Sequence, residues 1–103
     1  MSDREKQILK FMNTLGMTVH HDVENRKVDD DNSYLYVTSK VVKNGEDVVT
    51  FYSYWKVLPD YFKLGNFGAT KELKNTIFAY LGEQKTLINF FVNLHKKLVE
   101  KTR

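Results

Sequence analysis

Apolar and polar positions change their period several times along the chain, and each change marks an element. Ile8, Phe11, Met12 and Leu15 recur at helical spacing, with a Ser2/Glu5 capping box ahead of them and Gly16 as a left-handed stop. Residues 3–15 therefore read as a short amphipathic helix. Met17, Val19, His21 and Val23 then alternate with Thr18, His20, Asp22 and Glu24, the pattern of a half-exposed strand. From Lys27 to Ser33 the chain is acidic and short of apolar groups, and it reads as a turn.

The stretch from Tyr34 to Leu58 carries the strongest local signal. Asn44-Gly45 stands between two runs of β-branched and aromatic residues, and both tolerate the positive φ that a two-residue type I′ turn requires. An uninterrupted ladder from that turn places Val41 opposite Val48, Ser39 opposite Thr50, Val37 opposite Tyr52 and Leu35 opposite Tyr54. The other face then holds Lys40 with Val49, Thr38 with Phe51, Tyr36 with Ser53 and Tyr34 with Trp55. In that register both faces are apolar away from the turn. The second face would need a cover: a helix, a subunit or a ligand.

Pro59 lacks the N–H that a ladder uses and ends the strand. The connection PDYFKLGNFGAT carries Tyr61, Phe62, Leu64 and Phe67, more apolar surface than loops usually hold. It reads as a packed plug or a contact surface, with Phe67 at the tip. Thr70 can cap a helix that buries Leu73, Ile77, Tyr80 and Leu81 and stops at Gly82. A last helix starts near Lys85 or Thr86. Its apolar residues, Leu87, Ile88, Phe90, Phe91, Val92, Leu94, Leu98 and Val99, cover an arc of about 200°, about twice what one surface needs. Ile88, Val92 and Val99 are the expected self-association side of a homodimer. Asn89, Asn93, Lys96, Lys97 and Glu100 form the wet strip.

Composition narrows the function more than it names it. At 103 residues, the chain reads as one α+β domain spanning 1–103, with an N-terminal helix, a three-stranded antiparallel meander and two C-terminal helices packed on the sheet. It has no cysteine, which removes disulfides, thiolate metal sites and thiol nucleophiles and points to a reducing, cytoplasmic setting. No apolar run is long enough to span a bilayer, and the polar N-terminus carries no signal-peptide pattern, so no membrane association is expected. The net charge of +3 is too mild for a protein devoted to nucleic acid. Abundant Lys, Asn, Tyr and Phe fit AT-rich coding DNA, as in a low-GC bacterium or its phages.

Candidate chemistry is sparse. His20 and His21 point to opposite faces of a strand, His95 is isolated in the last helix, and Asp29-Asp30-Asp31-Asn32 lacks the spacing of a calcium loop. Pro59-Asp60 with Glu72-Leu73-Lys74 formally resembles the PD-(D/E)xK nuclease pattern, but its second half sits at a helix start rather than on a strand. No nucleophile elbow, P-loop or dinucleotide fingerprint is present. The expectation is a non-enzymatic regulatory protein that works without cofactor or metal, through contacts of Tyr34, Tyr36, Phe51, Trp55, Phe62 and Phe67 with another protein. The alternative is a single-stranded nucleic-acid module that stacks bases on the sheet aromatics, with Lys40, Lys96, Lys97, Lys101 and Arg103 on the phosphates. The order of elements is loosely similar to that of single-stranded-DNA-binding coactivators, with which the chain shares no motif.

Overall fold

A computed structural model describes residues 3–70 and 84–102. Helix α1 (Asp3–Thr14) leads into four strands, β1 (Met17–Asp29), β2 (Asn32–Lys43), β3 (Glu46–Val57) and β4 (Phe62–Ala69), followed by helix α2 (Gln84–Glu100). The strands form one antiparallel sheet in the order β1-β2-β3-β4. The fold is α+β as expected, but the meander has four strands rather than three. The helix expected over residues 70–82 lies, beyond Thr70, outside the described residues, as do the Ser2 cap and Arg103. No helix among the described residues is long and apolar enough to cross a membrane.

The fourth strand is the apolar connection that reads as a loop. Its two glycines break the period, yet Phe62, Phe67 and Ala69 all turn toward the covered face, opposite Val57, Ser53 and Phe51. Gly65 is absorbed by an irregularity beside Tyr54/Trp55, and Gly68 makes room for the ring of Tyr52, because a Cβ there would sit 2.6 Å from Tyr52 Cζ. β1 is also longer than its apolar residues suggest. Its second half pairs through the backbone, which does not require apolar side chains, and Asp29 Oδ1 closes the hairpin by accepting from the Asp31 N–H and from Asn32 Nδ2.

The Asn44-Gly45 turn forms as expected, with φ of 53° and 79° and Lys43 opposite Glu46. The uninterrupted register does not. A bulge beside Val42 sets Val41 opposite Val49 rather than Val48 and shifts every later pair by one: Ser39 faces Phe51, Val37 faces Ser53, and Leu35 faces Trp55. Without the bulge, Tyr52 and Tyr54 would carry their hydroxyls into the core while Phe51 and Trp55 turned outward. With it, Phe51 and Trp55 are buried and Tyr52 and Tyr54 stand half-buried on the other face, which keeps their hydroxyls out of the apolar core. Burial then alternates cleanly in β2 and β3, with buried residues on one face and half-buried or exposed ones on the other.

Both helices pack on the same face of the sheet. Ile8 and Met12 of α1 meet Met17, Val41, Val49 and Phe51 of the sheet and Phe90, Phe91 and Leu94 of α2, while Val99 seals a second cluster with Leu35, Val37 and Trp55. Phe91 stacks on Phe51 with ring centroids 4.0 Å apart. The turn should be sensitive to glycine loss. A Cβ on Gly45 meets nothing within 4 Å, so Gly45→Ala carries the backbone penalty alone. It should lower unfolding stability by about 1 kcal/mol in urea titration.

Candidate functional site

Among the described residues the sheet has one covered and one open face, and each holds a polar constellation. On the open face the register aligns four rows across the strands: Arg26, Tyr34, Lys56 and Lys63; Glu24, Tyr36, Tyr54 and Asn66; Asp22, Thr38, Tyr52 and Gly68; His20, Lys40 and Thr50. Tyr36 and Tyr54 stack with centroids 4.5 Å apart. The Arg26 guanidinium lies 4.1 Å above the Tyr36 ring, donates to the Tyr54 hydroxyl at 2.8 Å and pairs with Glu24 at 3.3 Å. The hydrogen bond to Glu24 chiefly holds the guanidinium above its ordinary pKa. Burial and the neighbouring Tyr54 push the Tyr36 phenol up, so it stays protonated. At the other end of the face Lys40 pairs with Asp47 at 3.2 Å.

The covered face holds a chain of hydrogen bonds inside the core. Trp55 Nε1 donates to Ser53 Oγ at 2.7 Å, and Ser53 Oγ lies 2.6 Å from His95 Nδ1. His95 Nε2 lies 2.8 Å from Ser39 Oγ, which lies 2.8 Å from His21 Nδ1. The indole can only donate, and one polarity running on from it satisfies every group in turn. Ser53 receives the indole proton and donates its own to His95 Nδ1. His95 then carries its proton on Nε2 and donates it to Ser39, whose hydroxyl donates to His21. Every group has a partner in this arrangement, and no buried side-chain nitrogen or oxygen among the described residues is left without one.

A serine hydroxyl beside an imidazole is also how a nucleophile is activated. Here Ser39, Ser53 and His95 are all 0% exposed, so the contacts link α2 to the sheet and offer no access to a substrate. Burial is the first cause that pushes the His95 pKa down, to about 4, and the neighbouring His21 adds to it. His21 is lowered too, by burial and then by His20. Among the described residues no three His, Asp or Glu side chains converge as metal ligands.

The residues expected from sequence to form one contact surface are divided by the structure. Tyr34 and Tyr36 stand on the open face, while Phe51 at 0% and Trp55 at 3% exposure are core and unavailable to a partner. Phe67 is no exposed tip. It is half-buried against the core, 6.2 Å from the Phe51 ring and 5.7 Å from His95. Phe62 is half-buried in the second cluster and lines an open cleft of about 420 Å³ with Asp60, Tyr61, Lys96 and Glu100.

On α2, Val99 is 0% exposed and cannot contribute to a contact between copies. Ile88 is half-buried against the core, and Val92 is half-buried. Lys96 and Lys101 are exposed and Lys97 half-buried, all on or just beyond the helix that packs on the covered face. Lys40 stands on the opposite, open face, so these lysines and the open-face tyrosines do not form one surface. Asp60 sits between β3 and β4, and Glu72 and Lys74 lie outside the described residues.

Sequence reading missed His95, Ser39, Ser53 and the second tyrosine pair, Tyr52 and Tyr54. Helical projection places His95 within the apolar arc, between Phe91 and Val99, and that was the available signal. Compared with protein-family models, curated protein sequences and solved structures, the chain matches none of them.

The chain of hydrogen bonds makes stability depend on pH. His95 is held neutral in the fold, whereas the unfolded chain takes up its proton near pH 6.5. Stability is therefore full above about 6.5 and lost as pH falls from there toward about 4, by about 3 kcal/mol from this residue. Urea unfolding across that range should show the slope, and His95→Gln should flatten it. Ser53→Ala, which leaves Trp55 Nε1 and His95 Nδ1 without their shared partner, should cost about 2 kcal/mol or more at neutral pH.

Proposed function

We propose that the protein is a non-catalytic binding module that recognises another protein through the open face of its sheet. The observation that carries this reading is the Tyr36–Tyr54–Arg26 platform. Two stacked rings and a guanidinium are held together by a hydrogen bond, a cation–π contact and an ion pair, on a face that no described helix covers. Tyrosine and arginine are the residues that anchor protein interfaces, because they bring large contact area with few rotors and a polar end that tolerates water. Ordering them beforehand lowers the entropy lost on binding.

Charge supports a protein partner over a single-stranded nucleic acid. Glu24 and Asp22 stand among the tyrosines, and Arg26 and Lys40 are each paired with a carboxylate of the same chain. Tyr36 has Tyr54 on one side and Arg26 against its ring, which leaves little ring surface for a base. Lysines 96, 97 and 101 belong to the helix side of the molecule.

Tyr36→Ser combined with Tyr54→Ser removes the platform from the half-buried open face and should lower unfolding stability by about 1–2 kcal/mol while the core on the other face keeps the chain folded. Affinity purification from a host extract, after nuclease treatment, should recover a protein with the wild-type chain and lose it with the double variant. Equal recovery by both would show that the open face is not the contact surface.

A further inference from the structure

Resting on that reading, we infer that the partner presents an acidic segment, bound by the strip Tyr34, Lys56 and Lys63 at one end of the open face. Lys56 and Lys63 are direct cross-strand partners and project from the same face, where like charges oppose each other and weaken the pairing. Neither makes an ion pair among the described residues. Asp29, at the end of β1, lies near enough for the charge of Lys56 to help lower its carboxyl pKa, as the smallest of several causes, but it does not close on the lysine. Elsewhere on this face the chain supplies its own carboxylates: Glu24 for Arg26 and Asp47 for Lys40. Among the described residues none closes on Lys56 or Lys63, so a carboxylate from outside would relieve the repulsion between them and gain two ammonium contacts at once.

The geometry of the strip favours a peptide carboxylate. Adjacent strands are about 4.8 Å apart, so Tyr34, Lys56 and Lys63 span about 10 Å, the length of about three residues of an extended segment. Tyr34 ends the cationic pair, and the Tyr36–Tyr54 platform lies in the next row. An acidic residue between the lysines therefore brings its apolar neighbours onto tyrosine rings. A longer polyanion laid across the face would meet Glu24 and Asp22 instead.

The test uses the full chain and two probes, a fluorescein-labelled oligoglutamate peptide and a labelled oligothymidylate, followed by fluorescence anisotropy. The peptide should bind at low salt, weaken as salt rises, and lose at least about tenfold in affinity in Lys56→Glu/Lys63→Glu. Lys96→Glu/Lys97→Glu, on α2, should leave it unchanged. Circular dichroism of the reversal variants confirms that both remain folded. Absence of peptide binding at low salt, or binding indifferent to the reversal at Lys56 and Lys63, overturns the inference. Tighter binding of oligothymidylate, lost in the same variant, overturns it in favour of phosphate. A partner recovered by wild type, lost with Tyr36→Ser/Tyr54→Ser but kept by Lys56→Glu/Lys63→Glu, leaves the open face as the contact surface and removes only the acidic segment.

Discussion

The extra residue near Val48 turns over the rest of β3, and both faces of the sheet take their character from that turn. Strand side chains alternate with a period of two, so a shift of one residue exchanges every inward and outward position beyond it. Phe51 and Trp55 go inside and become the floor on which α2 lies. Tyr52 and Tyr54 go outside and become half of the open-face aromatics. Val48 itself stays half-buried against the first core cluster, so the bulge does not leave an apolar side chain stranded in water. The alternative register would bury phenol groups without assured partners and expose an indole, and burial of the purely apolar ring of Phe51 decides against it.

The same shift creates the site at which α2 docks. Ser39 and Ser53 become diagonal neighbours on the covered face, and their small side chains leave space among Val37, Phe51 and Trp55 for an imidazole. His95 fills that space, with the Phe91 ring one helical turn earlier stacked on Phe51 and Val99 one turn later against Leu35, Val37 and Trp55. Apolar contacts alone would permit α2 to slide along the sheet. Hydrogen bonds from both imidazole nitrogens to two strands fix its axial position. Burial holds His95 neutral, so one ring nitrogen donates and the other accepts.

On the open face, residues of different strands form a platform that none of them forms alone. Arg26 comes from β1, Tyr36 from β2 and Tyr54 from β3, brought side by side by pairing in register. The covered face makes the protein fold. The open face carries tyrosines of β2 and β3 beside Lys56 and Lys63, which make no ion pair among the described residues.

The sequence by itself determined the elements whose signals are local. The Asn44-Gly45 turn follows from backbone sterics, α1 from an apolar stripe ending at Gly16, and α2 from an apolar arc with a polar strip, all of which need only neighbours along the chain. What tertiary structure decided was everything that depends on competition between distant residues. Whether the ladder from Asn44-Gly45 runs straight or bulges is set by which aromatics the core accepts, and that depends on α2, far away in sequence. Whether Phe62 to Ala69 is a loop or a strand depends on the free edge of β3, which supplies the hydrogen bonds its glycine-broken pattern does not announce. His95 looked isolated because its partners, Ser39 and Ser53, carry no signal until the register places them side by side.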